Sequence, residues 1–406
     1  MLFLKLAWRN IWRNKRRTLI TMASVVMAVL LASVMSSMQE GSYDQMIDNT
    51  VGSSTGHIQI QAQGYHDEPT LDNSFEIDST LLEEVAEQLG VASVIPRIDS
   101  YALSAGEERS RAAMVIGIDI EAEKSLSEPH EKIVEGTYLE NNNQQSALVA
   151  AGLADYLDVT IGDTLILLGQ GFRGTNASGA YPIGGIIEFG IPDMNNSLVY
   201  LPLQTASRFY GTYDRLTALV LLAERPEDVQ AITRSLRSQL PEQYAVLDWQ
   251  TLMPELVQAI QADSGSNFII QLILYMVVGF GIFGTVLMMT AERKFELGVM
   301  IATGTSRISV ATILLLEMIF ITFMGTLVGM IASVPFMYYF NRNPIYFSGD
   351  AAAAIKEWGM EPFVQFSTDP SIFLTQGAIV LSITLLICIY PLWYAFKLQP
   401  VSAMRQ

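Results

Sequence analysis

The chain has 406 residues, half of them hydrophobic, yet it carries 41 acidic against 24 basic residues and a net charge of −17. These properties are segregated: Gln39–Asn267 holds 34 Asp or Glu against 11 Lys or Arg, a balance of −23, and the remainder is +6. An acidic water-facing domain set in a basic-flanked membrane protein is the reading, which excludes nucleic-acid binding. The lone Cys388, inside an apolar run, excludes a disulfide framework and reads as a small buried hydrophobe.

In chain order, residues 1–17 (MLFLKLAWRNIWRNKRR) interleave Leu2, Leu6, Trp8, Ile11 and Trp12 with Lys5, Arg9, Arg13, Lys15, Arg16 and Arg17. This is the pattern of a basic amphipathic helix lying at the cytoplasmic interface. Residues 18–38 then supply about the 20 apolar residues that one crossing needs. The run is too long for a secretory signal. Residues 39–267 follow as a large outer domain. Three more spans come after it, at 268–290, 308–340 and 372–396, with a cytoplasmic loop at 291–307, a short outer loop at 341–371 and a cytoplasmic tail at 397–406. Four crossings and the positive-inside bias put both termini in the cytoplasm.

The outer domain reads as mixed α/β. Residues 56–61 alternate in the strand period, and 79–89 (STLLEEVAEQL) read as a helix opened by a capping Ser or Thr. Further strands are predicted at 94–103, 112–118, 163–168 and 217–222, with a second helix at 227–240. Within the spans, Gly279, Gly281 and Gly284, and the pair Gly325 and Gly329, allow close helix approach, first within the chain and second in a dimer. Glu317 stands about three turns into an apolar helix, with no basic partner evident at the same depth. It is a functional carboxylate, protonated or paired across a dimer interface, or else a neutral acid hydrogen-bonded to a neighbouring helix. Pro335 predicts a kink near the outer end of the third span.

The loop 291–307 carries Glu292, Arg293, Lys294 and Glu296 ahead of Gly298 and Gly304, with Phe295, Val299 and Ala302 spaced for one apolar face. The run Glu292-Arg293-Lys294-Phe295-Glu296-Leu297-Gly298, followed by Ala302-Thr303-Gly304, resembles the coupling segment of the FtsX/MacB/LolC-LolE superfamily of ABC-transporter permeases. An arginine usual there before the second glycine is missing. The segment 146–168, then 183–190, 198–209 and 248–249, resembles the periplasmic core of MacB-type proteins in the same order. Pro391, Ala395 and the closing Pro400-Val401-Ser402-Ala403-Met404-Arg405 resemble the end of the family.

The resemblance implies a four-helix membrane protein with a large mixed α/β, MacB-like periplasmic core domain inserted between helices 1 and 2, in the bacterial inner membrane. It implies a dimer with a second copy or a paralogue, and a separate cytoplasmic ABC ATPase that binds the ATP and Mg and fits the coupling segment. No cofactor, metal site or catalytic group is expected in this chain: His57, His66 and His130 are scattered, and no phosphate-binding Gly-rich loop occurs. MacB-like exporters usually carry a fused ATPase, and FtsX has a smaller outer domain. The architecture is therefore closest to the LolC/LolE lipoprotein-releasing subunits, which hand lipoproteins to a periplasmic carrier by mechanotransmission.

On that footing the acyl chains would meet Val34, Met35, Met38, Phe268, Ile269 and Leu272, which equally fit ordinary lipid-facing or helix-packing positions. A carrier-binding hairpin would fall at 169–181, with Phe172 and Arg173 as anchors, or that segment is a loop without a role. The alternatives are MacB-like export of a small amphiphile or peptide, and FtsX-like signalling to a periplasmic cell-wall enzyme.

Overall fold

The computed structural model describes residues 2–13, 15–357 and 362–397. The chain divides into two compact units: Met1–Asp44, Ile260–Tyr346 and Phe363–Gln406 form one, and Gln45–Ala259 with Phe347–Pro362 form the other. The outer loop 341–371, read from sequence as a single segment, is thus shared between them. The C-terminal motif at 400–405 lies outside the described residues.

Among the described residues, four helices are long and apolar enough to cross a membrane. The first membrane helix is Lys15–Thr50, the second Pro254–Glu292 and the third Arg307–Arg342. The fourth runs Pro370–Ile387, breaks at buried Cys388 and resumes over Ile389–Lys397. The first two run well past the apolar stretches at 18–38 and 268–290. Hydropathy marks only the part that lipid would touch, while backbone hydrogen bonding carries a helix on through polar sequence. The third helix continues through Pro335.

Small residues set the packing of the membrane unit. A Cβ on Gly325 would fall 2.9 Å from Val25 Cβ and 3.2 Å from the Met22 carbonyl, and one on Gly329 would fall 2.8 Å from Val29 Cβ. The glycine pair therefore lets the third helix seat directly on the first, within one chain. Gly281 and Gly284 in the second helix face open space instead. Gly325→Val is expected to cost about 1–3 kcal/mol through overpacking, and Gly281→Val much less. Thermal unfolding of the two variants in the same detergent checks this; equal midpoints would refute the contact. A polar knot joins three helices: Gln271 and Gln376 both donate to Ser36 Oγ, at 2.6 and 2.7 Å, and Tyr275 donates to Gln376.

The outer unit is built on one ten-stranded sheet: β1 Ile58–Ala62, β2 Val91–Ala105, β3 Ser110–Ile118, β4 Ile133–Gly136, β5 Ala147–Ala150, β6 Thr164–Gln170, β7 Asn176–Ile187, β8 Leu198–Pro202, β9 Ala218–Ala223 and β10 Tyr244–Asp248. Its order is β10-β1-β9-β2-β3-β8-β5-β7-β4, with β6 bridging β2 and β7. Every strand read from sequence is present, as are helices at Ser79–Ala86 and Val229–Gln239. The first of these is capped by Asp78, whose side chain accepts from Thr80 N at 2.9 Å, rather than by the Ser or Thr expected.

The two sheet faces differ. Rows across β1, β9, β2 and β3 place Ile60, Leu219 and Ile98 on a side covered by helices, where a Cβ on Gly117 would fall 2.5 Å from Ala206 Cβ of helix Leu203–Tyr210. The other side carries Arg97 in a row with Gln61, Ala218 and Ile118. Arg97 is 2% exposed there and is held by Glu123, itself fully buried on the short turn Ala122–Ser125, through Nε–Oε2 at 3.0 Å and a second contact between Nη2 and Oε1. Ser127 Oγ donates to Glu123 at 2.5 Å, and Arg97 also donates to the Ser54 carbonyl. Burial works against the Arg97 charge, but Glu123 opposite it more than restores it, so the Arg97 pKa is raised.

Candidate coupling site

The segment between the second and third membrane helices folds as a short helix, Lys294–Ala302, set off from the second helix at Arg293. Leu297 is 2% exposed and packs against Val310, Ala311 and Leu314 of the third helix and Ala395 of the fourth, with Met300 and Ile301 at the edge of that cluster. Gly304 ends the helix at φ +100°, where Thr305 N donates to the Met300 carbonyl at 3.0 Å. Such a backbone suits glycine alone. Ser306 then caps the third helix through Ser309 N.

The contacts ascend in step. Leu297 faces Val310 to Leu314, and Arg293, one turn earlier, faces Glu317 one turn later. The short helix therefore lies back along the first three turns of the third helix as an antiparallel hairpin. Val310, Ala311 and Leu314 are covered by protein on this side. The hairpin also corrects the reading of Glu317. That carboxylate has a basic partner after all, because Arg293 at the end of the second helix is level with it; the turn at Gly304 brings together residues that looked well separated in depth.

Both members are buried, each side chain 4% exposed, and Arg293 Nη1 donates to Glu317 Oε2. Arg293 Nε also lies 3.4 Å from Glu296 Oε2, which in turn accepts from Arg13 Nη2 at 2.5 Å. Arg13 and Glu296 are half exposed, at 53% and 44%. The outer link is thus worth about 0–1 kcal/mol, and the inner one dominates. The N-terminal helix Leu2–Arg13 joins the same assembly. It buries Ala7 and Ile11, and Trp8 meets Phe320 of the third helix edge-to-face at 5.8 Å. The interfacial helix expected from sequence is accordingly docked on protein.

Of the residues read as the coupling set, Arg293, Leu297 and Gly298 are buried and serve the hairpin, whereas Glu292, Lys294, Phe295, Glu296 and Gly304 are exposed. Phe295 is 52% and Val299 36% exposed, one turn apart, so an apolar strip flanked by charge faces outward. The sequence signal for the inward half was Glu317 itself, a carboxylate that required a partner.

The remaining predicted residues do not form one site. Phe268, Ile269 and Leu272 are exposed, Met38 is 39% exposed, and Val34 and Met35 are half-buried. Phe268 lines a cleft of about 370 Å³ with Gln39, Tyr43 and Gln271, while Leu272 lines a separate apolar groove of about 440 Å³ with Phe280, Phe283 and Ile383. In the outer unit, β6 and β7 do form a hairpin around 169–181. Its Phe172 lies under two guanidinium groups, with Arg173 Cζ 5.1 Å and Arg215 Cζ 5.0 Å from the ring centroid. Arg173 N donates to Asp72 at 2.6 Å. The tip is folded onto its own domain, and of the two candidate anchors only the Arg173 side chain is exposed.

Residues 18–239 match the family model of the MacB-like periplasmic core domain, and residues 268–400 match that of the FtsX-like permease C-terminal. The lipoprotein-releasing system transmembrane protein LolC of Neisseria meningitidis serogroup B is 22% identical over 82% of this chain and 83% of its own. The macrolide export ATP-binding/permease protein MacB of Burkholderia pseudomallei is 20% identical over 83% of this chain and 52% of its own. The periplasmic region of MacB from Actinobacillus actinomycetemcomitans overlays 52% of this chain and 97% of that one, at 14% identity and a TM-score of 0.36. Two matched models spanning most of the sequence, on four apolar helices and a mixed sheet domain, place this chain in the LolC/LolE/MacB/FtsX family of ABC-transporter permeases.

Proposed function

We propose that this permease works with a separate cytoplasmic ATPase, which binds ATP and Mg, and that it extracts lipoproteins from the inner membrane for transfer to a periplasmic carrier. Both termini are then cytoplasmic, and the sheet domain is periplasmic. The observation that carries the reading is the short helix Lys294–Ala302: it offers Phe295 and Val299 outward and is fastened inward to the third membrane helix. Movement of a partner at that strip is passed to the membrane helices rather than absorbed in a loop. Similarity to LolC supports lipoprotein as cargo, and a second permease copy or a paralogue completes the assembly. Exposed Arg173 is the residue of the hairpin left for a carrier.

Reconstitution with the cognate ATPase in liposomes holding an acylated lipoprotein tests this, the readout being ATP-dependent release to a soluble carrier. Phe295→Asp and Val299→Asp are expected to abolish release, about tenfold or more, by placing charge in an apolar contact. ATP turnover without release of any lipoprotein would sink the reading. It would favour export of a small amphiphile, to which similarity with the macrolide export protein points.

A further inference from the structure

The sheet face that carries Arg97 borders a cavity of about 450 Å³, a size that takes a small organic ligand. Strand register builds its floor. Asp99 of β2 stands in a row with Ile116 of β3 and Tyr200 of β8, the next row holds Met114 and Leu198, and Gln61 comes from β1 on the same side. One end is therefore apolar, along Met114, Ile116 and Leu198, and the other polar, along Gln61, Arg97 and Asp99.

The charges at the polar end do not cancel. Arg97 is spoken for: Glu123 takes its Nε and Nη2, and the Ser54 carbonyl takes its Nη1. Asp99 is left as the unmatched charge, and exposed Asp193 and His66 also line the cavity. Gln61 is 4% exposed and spends its Nε2 on Gln59 Oε1 at 2.7 Å. Among the described residues, neither Gln61 Oε1 nor Asp99 Oδ1 accepts a hydrogen bond, although solvent reaches neither atom. Burial pushes the Asp99 carboxyl up to about 6, with Arg97 pulling it down and Glu123 pushing it up. Near neutral pH an incoming cation thus meets a carboxylate with little proton to displace.

A buried carboxylate oxygen in a row with an apolar wall complements a group that donates hydrogen bonds, bears positive charge and ends in hydrocarbon. An anion would oppose Asp99, and a neutral alcohol would leave its charge unbalanced. We propose that this cavity binds a small organic cation, a primary ammonium on a short apolar body, with the ammonium at Asp99 and the hydrocarbon along Met114, Ile116 and Leu198. The site is independent of what the assembled transporter moves.

Isothermal titration calorimetry on the full-length protein in detergent, with hexylammonium, hexanol and hexanoate as probes, tests it. Hexylammonium is expected to bind about tenfold or more tightly than either companion, and Asp99→Asn to remove that preference. Met114→Trp, which fills the apolar end and leaves every charge in place, is expected to weaken hexylammonium by a similar factor. Binding unchanged in both variants, or hexanol or hexanoate binding as tightly, would overturn the proposal, as would no binding of hexylammonium at all.

Discussion

Glu317→Ala is expected to loosen the short helix Lys294–Ala302 from the third membrane helix and to uncouple any ATP-driven activity. The substitution leaves the Arg293 guanidinium 4% exposed with only the longer contact to half-exposed Glu296, at 3.4 Å. Removing one partner of a buried pair costs about 3–5 kcal/mol, because an uncompensated charge stays behind. Arg293→Ala removes the same pairing from the other side. Glu296→Ala touches a link that is half exposed and is expected to cost about 1 kcal/mol or less. Hydrogen exchange over 294–302 separates the cases: protection should fall by about a hundredfold or more in the two buried variants and little in the third. The double variant Arg293→Met/Glu317→Met restores protection if the pair acts by filling a buried site, since apolar replacement of both partners is often neutral. Equal exchange in Glu317→Ala and Glu296→Ala would show that the buried pair does not hold the short helix in place.

In the outer unit, Glu123→Ala is expected to destabilise the sheet by about 3–5 kcal/mol for the same reason, with Arg97 left at 2% exposure on a sheet face. Glu123 also accepts from Ser127 Oγ, and Ser127 Oγ accepts from Tyr200 OH at 3.2 Å, so the loss spreads from β2 to β8. Urea unfolding of the full chain, followed by amide exchange in β2 and β3, is the measurement. The contrast is Lys124→Ala on the same turn: its pairing with Glu121 is exposed and should be worth about 1 kcal/mol or less. A Glu123→Ala protein as stable as Lys124→Ala would show that the turn Ala122–Ser125 does not depend on the pair.

Much of this architecture is legible in one sequence because the membrane imposes length and polarity on it. The four spans, the acidic insert and the glycine contact at Gly325 follow from runs and spacings that need no tertiary knowledge. Strands such as 112–118 stand out by alternation. β5, Ala147–Ala150, is too short and too uniformly apolar to show a period, and only the family resemblance located it. The coupling site was half legible. Charge and glycine spacing mark the segment, but which residues turn inward depends on a reversal at Gly304 that pairs position 293 with 317. Local reading left Glu317 without a basic partner because Arg293, 24 residues earlier, is brought level with it only by that reversal. The Asp99 cavity was invisible for a similar reason, as its walls come from strands distant in sequence.

The antiparallel hairpin also decides how force enters the membrane helices. A helix of nine residues is about 13 Å long, and this one is tied to the third helix at both ends, by the turn at Gly304 and by the Arg293–Glu317 clasp. A load at Phe295 and Val299 therefore falls between two supports, as on a beam. On the coupling proposed above, a sideways push there would act on the third helix and, through the contacts at Gly325 and Gly329, on the first.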